Sequence, residues 1–141
     1  MSSTIPVALI TGTNSGLGLA LTVAMSKTHR VYAGMRSLSK RTELDEALGK
    51  SGGAANVVVT VIDVNSDDSV NTCVKDILAK EDRIDVLFCN AGYAVVGSVE
   101  SIGTAVEQRP IHWHSLTLLS FSEMKAVEDQ FNTNVFGVVR W

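Results

Sequence analysis

Three glycines at Gly12, Gly16 and Gly18 lie where an apolar run gives way to a helical pattern, in the stretch Val7 to Gly18, VALITGTNSGLG. The apolar run Ile5 to Ile10, with β-branched character, reads as a strand, Thr13-Asn14-Ser15 as a polar turn, and Gly16-Leu17-Gly18 as the start of a helix. This arrangement receives a phosphate. The first N–H groups of a helix have no intrahelical acceptor, and the macrodipole adds partial positive charge there. Gly12 permits a sharp turn, Gly16 lets a pyrophosphate approach the backbone, and Gly18 lets the helix pack close to the strand. The spacing T-G-x-x-x-G-x-G departs from G-x-G-x-x-G. An ordinary glycine-rich βα loop is the rival reading, and placement between strand and helix favours the phosphate seat.

Further candidate groups close the later strands. Val31 to Met35 ends at Arg36, Val57 to Ile62 at Asp63, and Ile84 to Cys89 at Asn90-Ala91-Gly92. Between the strands run helical patterns: Leu17 to about Lys27; Leu38 to Leu48, with Ser37 as cap and Gly49 as stop; and Val70, Cys73, Val74, Ile77 and Leu78, preceded by the capping segment Asn65-Ser66-Asp67-Asp68. Val57 to Ile62 is too continuously apolar for a half-exposed strand and is expected to be buried. The β-α-β-α-β-α-β alternation implies an α/β fold, a Rossmann-type doubly wound parallel sheet. Ligands of such sheets sit beyond the strands' carboxyl ends, where Gly12, Arg36, Asp63 and Asn90 all fall.

Composition narrows the function classes. The chain has 141 residues, room for a single domain, with 45% hydrophobic and 19% charged residues, as in a globular protein. A net charge of −3 without a basic patch argues against a nucleic-acid partner. Cys73 and Cys89 lack metal-ligand spacing, His112-x-His114 lacks a third ligand, and no metal is expected. No stretch suits a signal peptide or membrane span, so a cytoplasmic protein is expected.

With Thr11-Gly12-x-x-x-Gly16-x-Gly18, Asp63 after the third strand and Asn90-Ala91-Gly92 after the fourth, the chain resembles the short-chain dehydrogenase/reductase family over roughly residues 5–100 and 123–140. VYAGMR, IDVLFCNAG and NTNVFGVVR are most similar to its 17β-hydroxysteroid and retinol dehydrogenase-like subgroup. The resemblance implies an oxidoreductase interconverting an alcohol and a ketone or aldehyde, with a steroid or retinoid suggested by the subgroup. It implies that Gly12, Asn14, Ser15, Gly16, Leu17 and Gly18 seat the dinucleotide. Asp63 and Val64 would hold the adenine, and Asn90, Ala91 and Gly92 would wall the cofactor. Asn134 would hold a water in the proton relay.

The second strand bears on cofactor choice. A carboxylate at its end accepts hydrogen bonds from the ribose 2′-OH of NAD. Here Arg36 stands there, no acid occurs between Gly18 and Glu43, and a guanidinium pairs bidentately with a 2′-phosphate. NADP is therefore expected ahead of NAD, with Ser15 adding a hydroxyl.

Two departures limit the reading. The family's proton donor is a tyrosine four residues before a lysine, and no Tyr-x-x-x-Lys occurs here. Tyr32 is expected to be packed in its strand, and Tyr93 has no lysine partner. The chain is expected to be a C-terminally truncated Rossmann domain, about four strands of the family's usual seven, inactive alone, with homo-oligomers open to a full-length form. A non-catalytic dinucleotide-binding or subunit-interaction module is the alternative. Residues 104–122 have no period and are expected to be an atypical insert, from an unspliced or mispredicted gene segment or a surface loop. Without a fifth strand, the fourth strand's edge and a helix face carrying Phe131 and Val135 are expected to be exposed and to favour aggregation.

Overall fold

A computed structural model describes residues 5–94 and 121–141, with side chains in the second segment from Lys125 onward. In chain order the elements are β1 (Val7–Thr11), α1 (Gly16–Met25), β2 (Arg30–Met35), α2 (Thr42–Ser51), β3 (Val57–Val61), α3 (Asp67–Glu81), β4 (Val86–Phe88) and α4 (Phe121–Phe131). A π-helical turn, Asn132–Phe136, leads from α4 into the short α5 (Gly137–Val139).

The four strands are parallel in the order β3-β2-β1-β4. β1, in the interior, is buried along its whole length. Alternation of side chains then assigns each face its helices. Val7, Leu9 and Tyr32 pack with Val70, Cys73 and Ile77 of α3 on one face. Ala33 and Met35 pack with Leu44 and Leu48 of α2 and with Leu19 and Val23 of α1 on the other. The fold is thus the expected doubly wound α/β sheet. Its strands end on one rim: Thr11 is level with Gly34, and Met35 with Val61.

Local signals succeed where the chain itself supplies the hydrogen bonds. Ser66 caps α3 by accepting from the Ser69 N–H at 3.3 Å, and Asp67 and Asp68 occupy the first turn. Other expectations are corrected. Ser37 caps a 3-10 turn, Leu38–Lys40, and α2 begins only at Thr42. The helix runs past Gly49 to Ser51, where Gly52, at φ 74°, takes the left-handed stop. β3 is half-exposed rather than buried, because among the described residues it lies at the sheet edge with only β2 beside it. β4 spans three residues rather than six, and Leu78 of α3 faces solvent.

Phe131 and Val135 are 55% and 44% exposed, and Leu87 of β4 is 38% exposed. The exposure expected of Phe131 and Val135 is therefore present. Residues 104–120, which hold His112, His114 and most of the expected insert, lie outside the described residues.

Tyr32 is packed as expected, and its hydroxyl donates to Glu81 Oε1 at 2.9 Å, tying β2 to the end of α3. Arg30 Nε stands 3.4 Å from the same oxygen. Burial first, then the hydrogen bond to the carboxylate, pushes the Tyr32 pKa from 10.0 up to about 12. A raised folded-state pKa favours the neutral phenol, so this contribution to stability is whole below pH 10 and is lost as pH rises through about 12. Alkaline titration followed by phenolate absorbance should show a late tyrosine step near 12 that Tyr32→Phe removes. A wild-type titration finished in the ordinary tyrosine range would contradict the burial of Tyr32 against Glu81.

Candidate functional site

The β1–α1 turn is fixed to both neighbouring strands. Thr13 donates to the Gly34 carbonyl through its N–H at 3.1 Å and its hydroxyl at 3.2 Å. On the other side, buried Thr11 Oγ1 accepts from the N–H groups of Asn90 at 3.0 Å and Ala91 at 2.9 Å. The Thr11 hydroxyl donates to the Phe88 carbonyl at 3.4 Å. Asn90 Nδ2 returns two bonds, to the carbonyls of Thr11 at 3.0 Å and Gly12 at 3.2 Å.

This lacing brings backbones close enough to require glycine. Gly12 has φ 71°, and a Cβ there would stand 2.8 Å from Ala91 Cα. A Cβ on Gly18 would collide with the Gly12 carbonyl and stand 2.5 Å from Asn90 Nδ2. Gly16, at φ 56°, has open space before it.

Beyond the rim lies a cleft of about 460 Å³. Its walls include Gly12, Asn14, Ser15, Gly16, Leu17, Arg36, Asp63, Val64, Asn90, Ala91 and Gly92. Gly18 is the one residue expected to seat the dinucleotide that does not line it; it is buried behind the wall and lets α1 approach. Leu17, 82% exposed, leaves an apolar side chain bare at the mouth.

Asp63 closes β3 in a compact turn. Its Oδ1 accepts from the Asn65 N–H at 2.9 Å, and its own N–H donates to Ser69 Oγ at 2.9 Å. Val64 is buried against Gly137, where a Cβ would come within 3.0 Å of its Cγ2. Asn134 does not line the main cleft. Its side chain donates to the Tyr93 carbonyl at 2.7 Å and accepts the Tyr93 N–H at 3.0 Å, holding the segment after Gly92 against the π-helical turn.

Sequence reasoning missed several wall residues: Thr11, Met35, Ile62, Asn65 and Thr133. Thr11 left one signal, a polar side chain closing an apolar strand. The Asn65–Thr133 contact, Nδ2 to Oγ1 at 3.0 Å across 68 residues, left none.

The site offers chemistry of binding rather than of nucleophilic attack. Its lining includes the first residues of α1, where N–H groups lack intrahelical acceptors, with the hydroxyl of Ser15, the side chain of Asn14 and the Arg36 guanidinium. Arg36 has no salt-bridge partner among the described residues. Cys89 is exposed, and partial desolvation raises its thiol above the ordinary pKa. Among the described residues no group of three or more His, Cys, Asp or Glu is placed to hold a metal, and no helix is long and apolar enough to cross a membrane.

The short chain dehydrogenase family model matches residues 6–141. Human retinol dehydrogenase 8 is 35% identical over 136 residues, 94% of this chain and 36% of that protein. Rat estradiol 17-beta-dehydrogenase 1 is 31% identical over 138 residues, 95% and 34% of the two chains. The chain thus spans about a third of the length of these relatives. In structure it resembles a short-chain dehydrogenase from Streptomyces avermitilis, with TM-score 0.70, 26% identity, and 99% and 42% of the two chains covered. An actinorhodin polyketide ketoreductase solved with NADPH gives TM-score 0.72, 25% identity, and 99% and 46% coverage.

Replacing Thr11 by valine keeps the shape and strands two part-buried N–H groups, at about 1 kcal/mol or more each. Thr11→Val should therefore lower stability by about 2 kcal/mol or more in a denaturant melt. An unchanged melt would show that the lacing does not hold the turn.

Proposed function

The chain belongs to the short-chain dehydrogenase family, and we propose that its cleft binds NADP(H) for an oxidoreductase that interconverts an alcohol with a ketone or aldehyde. The observation that carries this reading is the convergence of Gly12, Gly16, Arg36, Asp63 and Asn90 on one cleft. The glycine turn supports this reading, since a Cβ built on Gly16 meets nothing within 4 Å and leaves the backbone there open to a pyrophosphate. When bound, the nicotinamide supplies or accepts the hydride.

The chain's residues divide the work of binding. The Gly16 and Leu17 N–H groups at the start of α1 hold the pyrophosphate, and Asn14 and Ser15 border it. Asp63 and Val64 receive the adenine, and Asn90, Ala91 and Gly92 set the wall behind the ribose and nicotinamide. Asn134, bonded to the backbone of Tyr93, steadies that wall and serves the proton relay. Arg36 meets the 2′-phosphate, because β2 ends without the carboxylate that would favour NAD.

Substrate follows from the relatives' names: a retinoid or steroid is the class we propose. A cytoplasmic setting and a homo-oligomeric full-length form belong to the same proposal. Proton transfer is the step for which this chain lacks the usual equipment. It contains no Tyr-x-x-x-Lys, Tyr32 is buried on Glu81, and Tyr93 is the one tyrosine on the cleft. On these grounds the 141-residue chain alone binds cofactor without turnover, and a non-catalytic dinucleotide-binding or subunit-interaction role is the second reading.

Fluorescence titration should give tighter binding of NADPH than of NADH. Arg36→Ala should weaken NADPH about tenfold, the loss of one hydrogen-bonded charge, and leave NADH nearly unchanged. Equal affinities of the wild type for the two nucleotides would refute the NADP assignment.

A further inference from the structure

The helical segment from Phe121 to Val139 reaches two separate walls of the cleft. At one, Asn134 holds the backbone of Tyr93. At the other, three contacts meet the turn that follows β3. Asn65 Nδ2 donates to Thr133 Oγ1 at 3.0 Å, and Gly137 lies against the buried Val64 side chain. Arg140, directly after α5, donates from Nη1 to the Val64 carbonyl at 3.3 Å, and its Nε pairs with Asp67 Oδ1 at 2.8 Å in the first turn of α3.

Nothing in the stretch NTNVFGVVR distinguishes Arg140 from a solvated arginine. The structure makes it a bridge across 76 residues. Its side chain is 24% exposed and that of Asp67 76%, and an ion pair so open to solvent adds little to stability. The geometry suits placement instead. A guanidinium is a rigid planar fork, so the bond from Nε to Asp67 fixes the direction of Nη1, which then meets the Val64 carbonyl and stands 3.5 Å from that of Asn132. Val64 lines the cleft between Asp63 and Asn65, so holding its carbonyl holds that wall. Arg140 itself does not line the main cleft but the recess beside it, and its influence on a ligand passes through Val64 and Asn65.

We propose that Arg140 is a positioning residue for the adenine end of the cofactor, which sets the Asp63–Asn65 wall through the Val64 carbonyl while Asp67 orients its guanidinium. This rests on the dinucleotide reading above and adds to it a residue that acts from outside the cleft.

The test uses the whole chain with the two halves of the cofactor as probes, 5′-AMP and nicotinamide mononucleotide, each carrying one phosphate. Arg140→Ala should weaken 5′-AMP about fivefold, the loss of one hydrogen bond, and leave nicotinamide mononucleotide within about twofold, since Asn134 holds the other wall. Asp67→Asn should weaken 5′-AMP in the same direction, and the variant carrying both changes should bind it no worse than Arg140→Ala alone, because the two residues act as a unit. Circular dichroism melts of all variants should stay close to that of the wild type. An Arg140→Ala variant that binds 5′-AMP as the wild type does overturns the proposal. Equal weakening of both probes also overturns it, since that is the mark of lost positive charge or general loosening. So does tighter 5′-AMP binding by Asp67→Asn, which a bare charge effect produces. In each of these cases wild-type binding of 5′-AMP leaves the dinucleotide reading standing, whereas a wild-type chain that binds no 5′-AMP removes both.

Discussion

Everything at the site depends on one close approach, that of the β1–α1 turn to the backbone leaving β4. Thr11 Oγ1 accepts two N–H groups from Asn90 and Ala91, and Asn90 Nδ2 returns bonds to the carbonyls of Thr11 and Gly12. The strands that bear these groups are 79 residues apart in sequence. Their approach leaves no space for a Cβ on Gly12 or Gly18, so glycine is required at both by contact, and at Gly12 by backbone angle as well. The turn is held on its other side by Thr13 to Gly34, and the start of α1 lines the cleft.

The sheet turns this local constraint into a binding surface. Four parallel strands bring their carboxyl ends to one rim, so a turn, a guanidinium, a carboxylate and an amide meet that are remote in sequence. The apolar faces that hold the rim are conventional: Val7, Leu9 and Tyr32 on α3, Ala33 and Met35 on α1 and α2. The second segment closes the cleft on the side of Asp63 and Val64. Arg140 pairs with Asp67 at 2.8 Å and donates to the Val64 carbonyl at 3.3 Å, while Asn65 reaches Thr133.

Much of this was legible in the sequence, and the pattern of success has a physical basis. Strand, turn and helix follow one another in the first eighteen residues, and the strand-end residues Arg36, Asp63 and Asn90 need only the parallel topology to be brought together. Burial was misjudged at β3, since an apolar run does not reveal whether a strand has one neighbour or two. The start of α2 was misplaced because Ser37 caps a 3-10 turn and not the helix, a difference of one hydrogen-bond register. Contacts such as Thr133 with Asn65 and Asn134 with Tyr93 were illegible, because they depend on how a distant helix packs.

The central claim is that the start of α1 and the end of β2 hold the phosphates of one dinucleotide. Amide hydrogen exchange of the whole chain, with and without saturating NADPH, tests this most directly. The account predicts that exchange slows about tenfold or more at Gly16 and Leu17 and at Arg36 and Ser37, while exposed α2 amides remote from the cleft are unchanged. NADPH binding that leaves Gly16 and Leu17 exchanging at their free rates would contradict it.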